Sequence, residues 1–219
     1  MCQREGLSLQ KGMNFQVGGT HSVILMSVRA GAPYEDQVME EGSVLIYEGH
    51  DVHRTAKTPD PKIVDQPEFL PSEKLTENGK FHKVAQAYKS GMREPERVRV
   101  YEKIRNGIWS YNGIFHLVDS WVQDTGKRKV FKFKLEAVEG EEDLSQPIPE
   151  HIEKRRIIPT HVKLGVWKRD GGKCVACGSS ENLHFDHIIP YSKGGSSDTA
   201  ENVQLLCGKH NLEKRDKIE

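Results

Sequence analysis

Two pairs of soft ligands, Cys174-x-x-Cys177 and Cys207-x-x-His210, bracket one long loop of this 219-residue chain. A tight turn aims two side chains at one point, so the two pairs together fit a single tetrahedral zinc ion. Four protein ligands leave no open coordination position, which predicts a structural zinc and not a catalytic one. Inside the loop, Asp186-His187 follows an apolar run and Asn202 precedes another, while Asn211 comes directly after the last ligand. Those polar groups are the candidate site.

Asp186-His187, Asn202 and Asn211, framed by the two zinc pairs, resemble the HNH endonuclease family with its ββα-metal core. The resemblance covers roughly residues 160–219 and implies a hairpin carrying Asp186 and His187, followed by a helix presenting Asn211. Many zinc-bearing members close with Cys-x-x-Cys and then His; this chain has Cys207-Gly208-Lys209-His210-Asn211. His210 is therefore read as the fourth zinc ligand and Asn211 as the third active-site position. A catalytic His210 would leave three zinc ligands and break the register.

The chemistry stands beside the resemblance. Phosphodiester hydrolysis needs a base for the attacking water and a hard cation for the charge that builds on phosphate and leaving oxygen. Histidine is the side chain that ordinarily changes charge near neutrality, which makes His187 the candidate base. Asp186 and Asn211 offer oxygen ligands suited to Mg²⁺ or Mn²⁺. Neighbours on a regular strand point to opposite faces, so a bend at the strand end is expected, and Pro190 fits one. Asn202 is expected to tie the loop by hydrogen bonds. Zinc pairs alone also fit an inert binding module, and His184 alone carries no functional weight.

Hydrophobic residues at 36% and charged residues at 29% fit a globular chain of two modest domains. No apolar run spans a bilayer and no secretory leader opens the sequence, so a cytoplasmic protein without membrane contact is expected. Three of four cysteines assigned to zinc agree with a reducing compartment; Cys2 is left without a role. Net charge is zero, yet Lys154, Arg155, Arg156 and Lys214, Arg215, Lys217 cluster near the nuclease-like stretch, where phosphate contacts would use them.

The first part reads as β-rich. Residues 1–15 carry little pattern. A glycine turn then leads to the strand-like Ser22–Val28, and Ser43–Tyr47 is a second short strand. Residues 50–73 read as a long loop, and Lys80–Ser90 as a helix with Phe81, Val84, Ala85 and Tyr88 on one face. Arg97–Tyr101 alternates as a strand. Trp109–Val122 reads as two strands around an Asn112-Gly113 turn. In Lys129–Leu135 the apolar face runs through Phe131, Phe133 and Leu135, with Val130, Lys132 and Lys134 opposite.

Tyr34-Glu35-Asp36-Gln37, Tyr47-Glu48-Gly49 and Tyr111-Asn112-Gly113, in that order, are similar to landmarks of the SRA (SET- and RING-associated) family, over roughly residues 17–138. The resemblance implies a domain that reads modified cytosine by flipping the base from duplex DNA. Tyr34 and Tyr47 would sandwich the base and Asp36 would bond its polar edge; Tyr111 and Gly113 would be structural. Gln37 stands where the family has its last Asp, and the gap from Tyr34 to Tyr47 is one residue longer. Stacking on an aromatic face contributes about 1–3 kcal/mol per base, comparable to the cost of unstacking.

The expected architecture is α+β: an SRA-like (PUA-like) bent β-barrel over 1–138, an acidic, proline-bearing linker over 139–158, and a zinc-stabilised ββα-metal HNH domain over 159–219. The implied function is a modification-dependent endonuclease acting on double-stranded DNA that contains 5-methyl- or 5-hydroxymethylcytosine, working as a homodimer. Two alternatives stay open: a non-catalytic reader with a zinc module, and an HNH nickase indifferent to modification.

Overall fold

The structure, a computed structural model, describes residues 5, 9, 11–56, 58, 60–105, 108–138, 158–190, 193–214, 217 and 218. The expected linker falls outside these residues except for Ile158, as do Cys2, Lys154, Arg155, Arg156 and Arg215. Two compact units make up the chain, Met1–Met39 with Val44–Val138, and Glu139–Glu219 with Glu40–Ser43.

In chain order the first unit contains β1 (Met13–Val17), β2 (His21–Met26), β3 (Gln37–Met39), β4 (Val44–Glu48), α1 (Glu77–Lys89), β5 (Glu96–Arg105), β6 (Ile108–Asp124) and β7 (Lys129–Ala137). All seven strands join one sheet in the order β1-β2-β5-β6-β7-β4-β3. Its β2–β5 pair is parallel and the remaining pairs are antiparallel. Helix α1 packs on β6, β1 and β7. Met13, Ile24, Val98, Val100, Phe115, Leu117, Phe133, Leu135 and Phe81 of α1 are all fully buried, and Phe81 meets Phe133 edge-on with ring centroids 5.9 Å apart. Burying a side chain of this kind stabilises by about 1.5–3 kcal/mol.

Four local expectations change. Strand β1 begins at Met13, inside the stretch that carried little pattern. Helix α1 starts three residues before Lys80, because the Thr76 hydroxyl caps it by accepting from Gly79 N–H at 3.1 Å. Asn112-Gly113 is no turn: β6 runs unbroken for 17 residues, and Gly113, at φ 104°, sits where the β5–β6 register slips. The pair that favours tight turns also suits a bulge, since both need a left-handed residue. In β7, Lys132 is buried with Phe131 and Phe133, because its ammonium pairs with Glu48 at 2.9 Å.

The second unit is an α+β hairpin assembly. Helix α2 (Thr160–Arg169) stops at Gly171 and Gly172, which take φ 61° and 67°. Strands β8 (Leu183–His187) and β9 (Val203–Cys207) pair antiparallel, and α3 (Gly208–Lys214) follows directly. Ile158, Val162 and Val166 pack against Val203 and Leu205. Arg169 donates to Val203 O at 2.7 Å, and Leu205 N–H donates to Asp170 at 2.9 Å, which fixes α2 on the hairpin. Among the described residues, no helix is long and apolar enough to cross a membrane.

Candidate functional site

Cys174, Cys177, Cys207 and His210 bring their ligand atoms within 4.8 Å of one another. Cys177 Sγ lies 3.9 Å from Cys207 Sγ, and His210 Nδ1 lies 3.5 Å from Cys174 Sγ and 3.2 Å from Cys207 Sγ. A tetrahedral zinc with bonds of about 2.3 Å to sulfur and about 2.0 Å to nitrogen calls for edges of roughly 3.8 and 3.5 Å, so the cluster fits this ion. Burial pushes the Cys174 thiol up, but backbone N–H groups of Cys207, Cys177 and Ala176 outweigh it and bring the pKa to about 6. Thiolates held by backbone donors are what zinc requires. His210 turns Nε2 toward Glu213 at 4.0 Å, a carboxylate placed to support the ligand's other nitrogen.

Asp186 and His187 are both in register on β8, opposite Gln204 and Val203, so they leave on opposite faces. The expected bend comes only after His187, at Ile188 and Ile189. His187 Nε2 is 2.8 Å from the hydroxyl of Ser197, which is fully buried. Asp186 faces α3, where Lys214 Nζ sits 2.8 Å from Oδ2 and donates to His187 O at 2.6 Å. That ammonium is out of line for a hydrogen bond to Oδ2, which is buried and takes none. A buried carboxylate oxygen with unused lone pairs fits a divalent cation. Asn211 lies one turn before Lys214 on α3 and is half-buried.

Asn202 ties the loop through its side chain, as expected from its place in the sequence. Its Nδ2 donates to Ile189 O at 3.0 Å and Ser196 O at 2.8 Å, and its Oδ1 accepts from Ile189 N–H at 2.8 Å. The same loop needs Gly195, where a Cβ would fall 1.8 Å from Ile189 O. Ser197 went unnoticed in the sequence, where a lone serine carries no signal, and Lys214, grouped there with the basic tail for phosphate contacts, is instead buried against Asp186.

In the first unit, Asp36 is committed to backbone: its Oδ2 accepts from Ser27 N–H at 2.9 Å and its Oδ1 from Glu48 N–H at 3.0 Å. Burial pushes its carboxyl up to about 6, against the pull of those two bonds. Gln37 opens β3 and is exposed. Glu48 pairs with Lys132 and, at 3.2 Å, with Arg128, which also holds Asp51 at 2.5 Å. Lys62 Nζ lies 4.1 Å from the centroid of the Tyr34 ring. Tyr34 and Tyr47 do not face each other as parallel plates. The His50 ring touches both, stacked on Tyr34 at 5.9 Å and 23°, and tilted against Tyr47 at 6.4 Å and 55°.

Residues 5–141 match the SAD/SRA domain. The chain belongs to the SAD/SRA domain family. Behind this SRA domain, residues 174–217 match HNH endonuclease, so an SRA and an HNH domain share one chain. Among solved structures, similar ones include the SUVH5 SRA domain with hemimethylated CG DNA, at 22% identity over 62% of this chain and 78% of that one, with a TM-score of 0.42. The SUVH5 SRA domain with fully hydroxymethylated CG DNA gives 23% identity, 62% and 79% coverage, and a TM-score of 0.42. KRYPTONITE with mCHG DNA and SAH gives 16% identity, 62% and 29% coverage, and a TM-score of 0.38. No curated protein matches.

Proposed function

We propose that this SRA–HNH chain is a modification-dependent DNA endonuclease of type IV-like restriction. The SRA domain, assigned to 1–138, flips and reads a modified cytosine; the HNH domain, assigned to 159–219, hydrolyses a nearby phosphodiester. The observation that carries this reading is the joining of an SRA domain to an HNH match whose residues 174–217 include Asp186, His187, Asn211 and the Cys3His cluster.

His187 is the base. In the tautomer whose Nε2–H is donated to Ser197, the accepting lone pair for the water proton is on Nδ1. Asp186 and Asn211 hold the divalent cation, Mg²⁺ or Mn²⁺, which supplies the charge that stabilises phosphate and leaving oxygen. Lys214 keeps Asp186 compensated until that ion binds. The Cys3His cluster binds zinc and fixes α3 against β9, so zinc acts on geometry and takes no chemical step.

The test compares a plasmid methylated at cytosine with the same plasmid unmodified, each with Mg²⁺. Cleavage of the methylated plasmid alone, lost in His187→Ala with DNA binding retained, is the expected result. Binding without cleavage would favour the non-catalytic reader, and equal cleavage of both plasmids the modification-independent nickase.

A further inference from the structure

Every residue of β9 is buried, yet the second of them, Gln204, carries an amide whose Nε2 is covered and has no hydrogen-bond partner. Val203 and Leu205 on either side of it pack with Val162 and Val166 of α2, so Gln204 points to the opposite face of the hairpin. There it is the direct cross-strand partner of Asp186, and antiparallel partners share a face. Lys214 of α3 comes down on that face, with its Nζ 2.8 Å from Asp186 Oδ2. Among the described residues, the buried side-chain atoms without a hydrogen bond are Asp186 Oδ2 and Gln204 Nε2, an acceptor and a donor.

A buried donor without a partner destabilises, so an apolar side chain of the same length would pack better at this position. The amide is explained by a partner that it gains. Opposed side chains on an antiparallel pair start about 5 Å apart at Cβ, within the reach of a glutamine amide, so Asp186 is the partner at hand. The Lys214 ammonium cannot stay against Oδ2 when a divalent cation binds there, because like charges that close repel. An amide, by contrast, donates to a carboxylate without adding charge, and carboxylates that hold metal ions are themselves held by hydrogen bonds. Resting on the reading of Asp186 as a ligand of the catalytic cation, we propose that Gln204 is a positioning residue for that ligand. Its amide takes over from Lys214 at Asp186 and holds the carboxylate toward the ion.

The test uses the zinc-loaded full chain carrying His187→Ala, titrated with Mn²⁺ and followed by the electron paramagnetic resonance signal of the free ion. Gln204→Met keeps the length of the side chain and removes the amide. It binds Mn²⁺ about tenfold more weakly than its parent, in line with loss of a hydrogen bond behind a metal ligand. Without added divalent metal it melts at the parent's temperature or above, because a buried orphan donor has gone. A Gln204→Met protein that binds Mn²⁺ as tightly as the parent overturns the proposal. So does one that melts lower without the metal, since the amide then serves packing. An Asp186→Ala protein that binds Mn²⁺ as tightly as the parent instead overturns the reading of Asp186 beneath it.

Discussion

At the residue scale, charge compensation sets the behaviour of both sites. Lys214 is buried at 2% side-chain exposure against Asp186 at 17%. Lys214→Ala leaves that carboxylate without its cation, and loss of one partner of a buried pair costs about 3 kcal/mol at the low end of the usual range. Thermal melts of this variant should drop, then recover in part as Mg²⁺ is added, because the ion replaces the missing charge at Asp186. No recovery would argue against Asp186 as a metal ligand. His50 and Asp36 give the SRA domain a pH signature. At His50 the folded state binds fewer protons than the unfolded chain between about pH 4 and 6.5, so stability falls as pH drops through that window. At Asp36 the folded state binds more protons between 3.8 and about 6, so stability falls as pH rises there. The two slopes oppose each other in wild type. In His50→Gln only the Asp36 slope remains, and its melting temperature relative to wild type should climb as pH is lowered from 6 toward 4. A constant difference across that range would contradict the His50 assignment. None of these partnerships was visible in the sequence. Asn78, Gly12 and Tyr47 reach His50 from three separate segments, and Lys132 lies 84 residues from Glu48.

At the element scale, the β8–β9 hairpin and α3 are one unit with the Cys3His cluster. Cys207 ends β9, every residue of which is buried, and His210 stands on the first turn of α3. Structural zinc contributes about 10–16 kcal/mol in small zinc domains, far more than this hairpin's packing could replace. Cys207→Ser should therefore abolish bound zinc, one ion per chain in the wild type, and unfold the HNH domain while the SRA domain still melts cooperatively. A zinc-free Cys207→Ser protein with an intact second transition would contradict that. This hairpin was the most legible part of the chain, because ligand spacing is a local property and the HNH resemblance implied the ββα order. The long β6 was less so. Asn112-Gly113 carries the same left-handed preference in a turn and in a bulge, and only the continuous pairing of β5 and β7 on either side decides between them. The alternation of β7 misled for a related reason, since a lysine can lie inside when a strand elsewhere supplies its carboxylate.

At the scale of the whole molecule, the proposed set of Asp186, His187 and Asn211 would serve one phosphodiester, while antiparallel DNA strands present the second phosphate in a two-fold related orientation. A second chain is the commonest way to provide a second centre. Double-strand cleavage should accordingly rise with the square of enzyme concentration at limiting enzyme, with nicked product accumulating first. Linear product formed at first order by a strictly monomeric protein, with no nicked intermediate, would rule this out. The central claim is narrower: one chain reads a modified cytosine with its SRA domain and cuts near it with its HNH domain. It is tested most directly by mapping cuts on a long duplex bearing a single 5-methylcytosine, with Mg²⁺ present. The account predicts cuts confined to a short window around that base and absent from the unmodified duplex. Cuts scattered along both duplexes alike would contradict it.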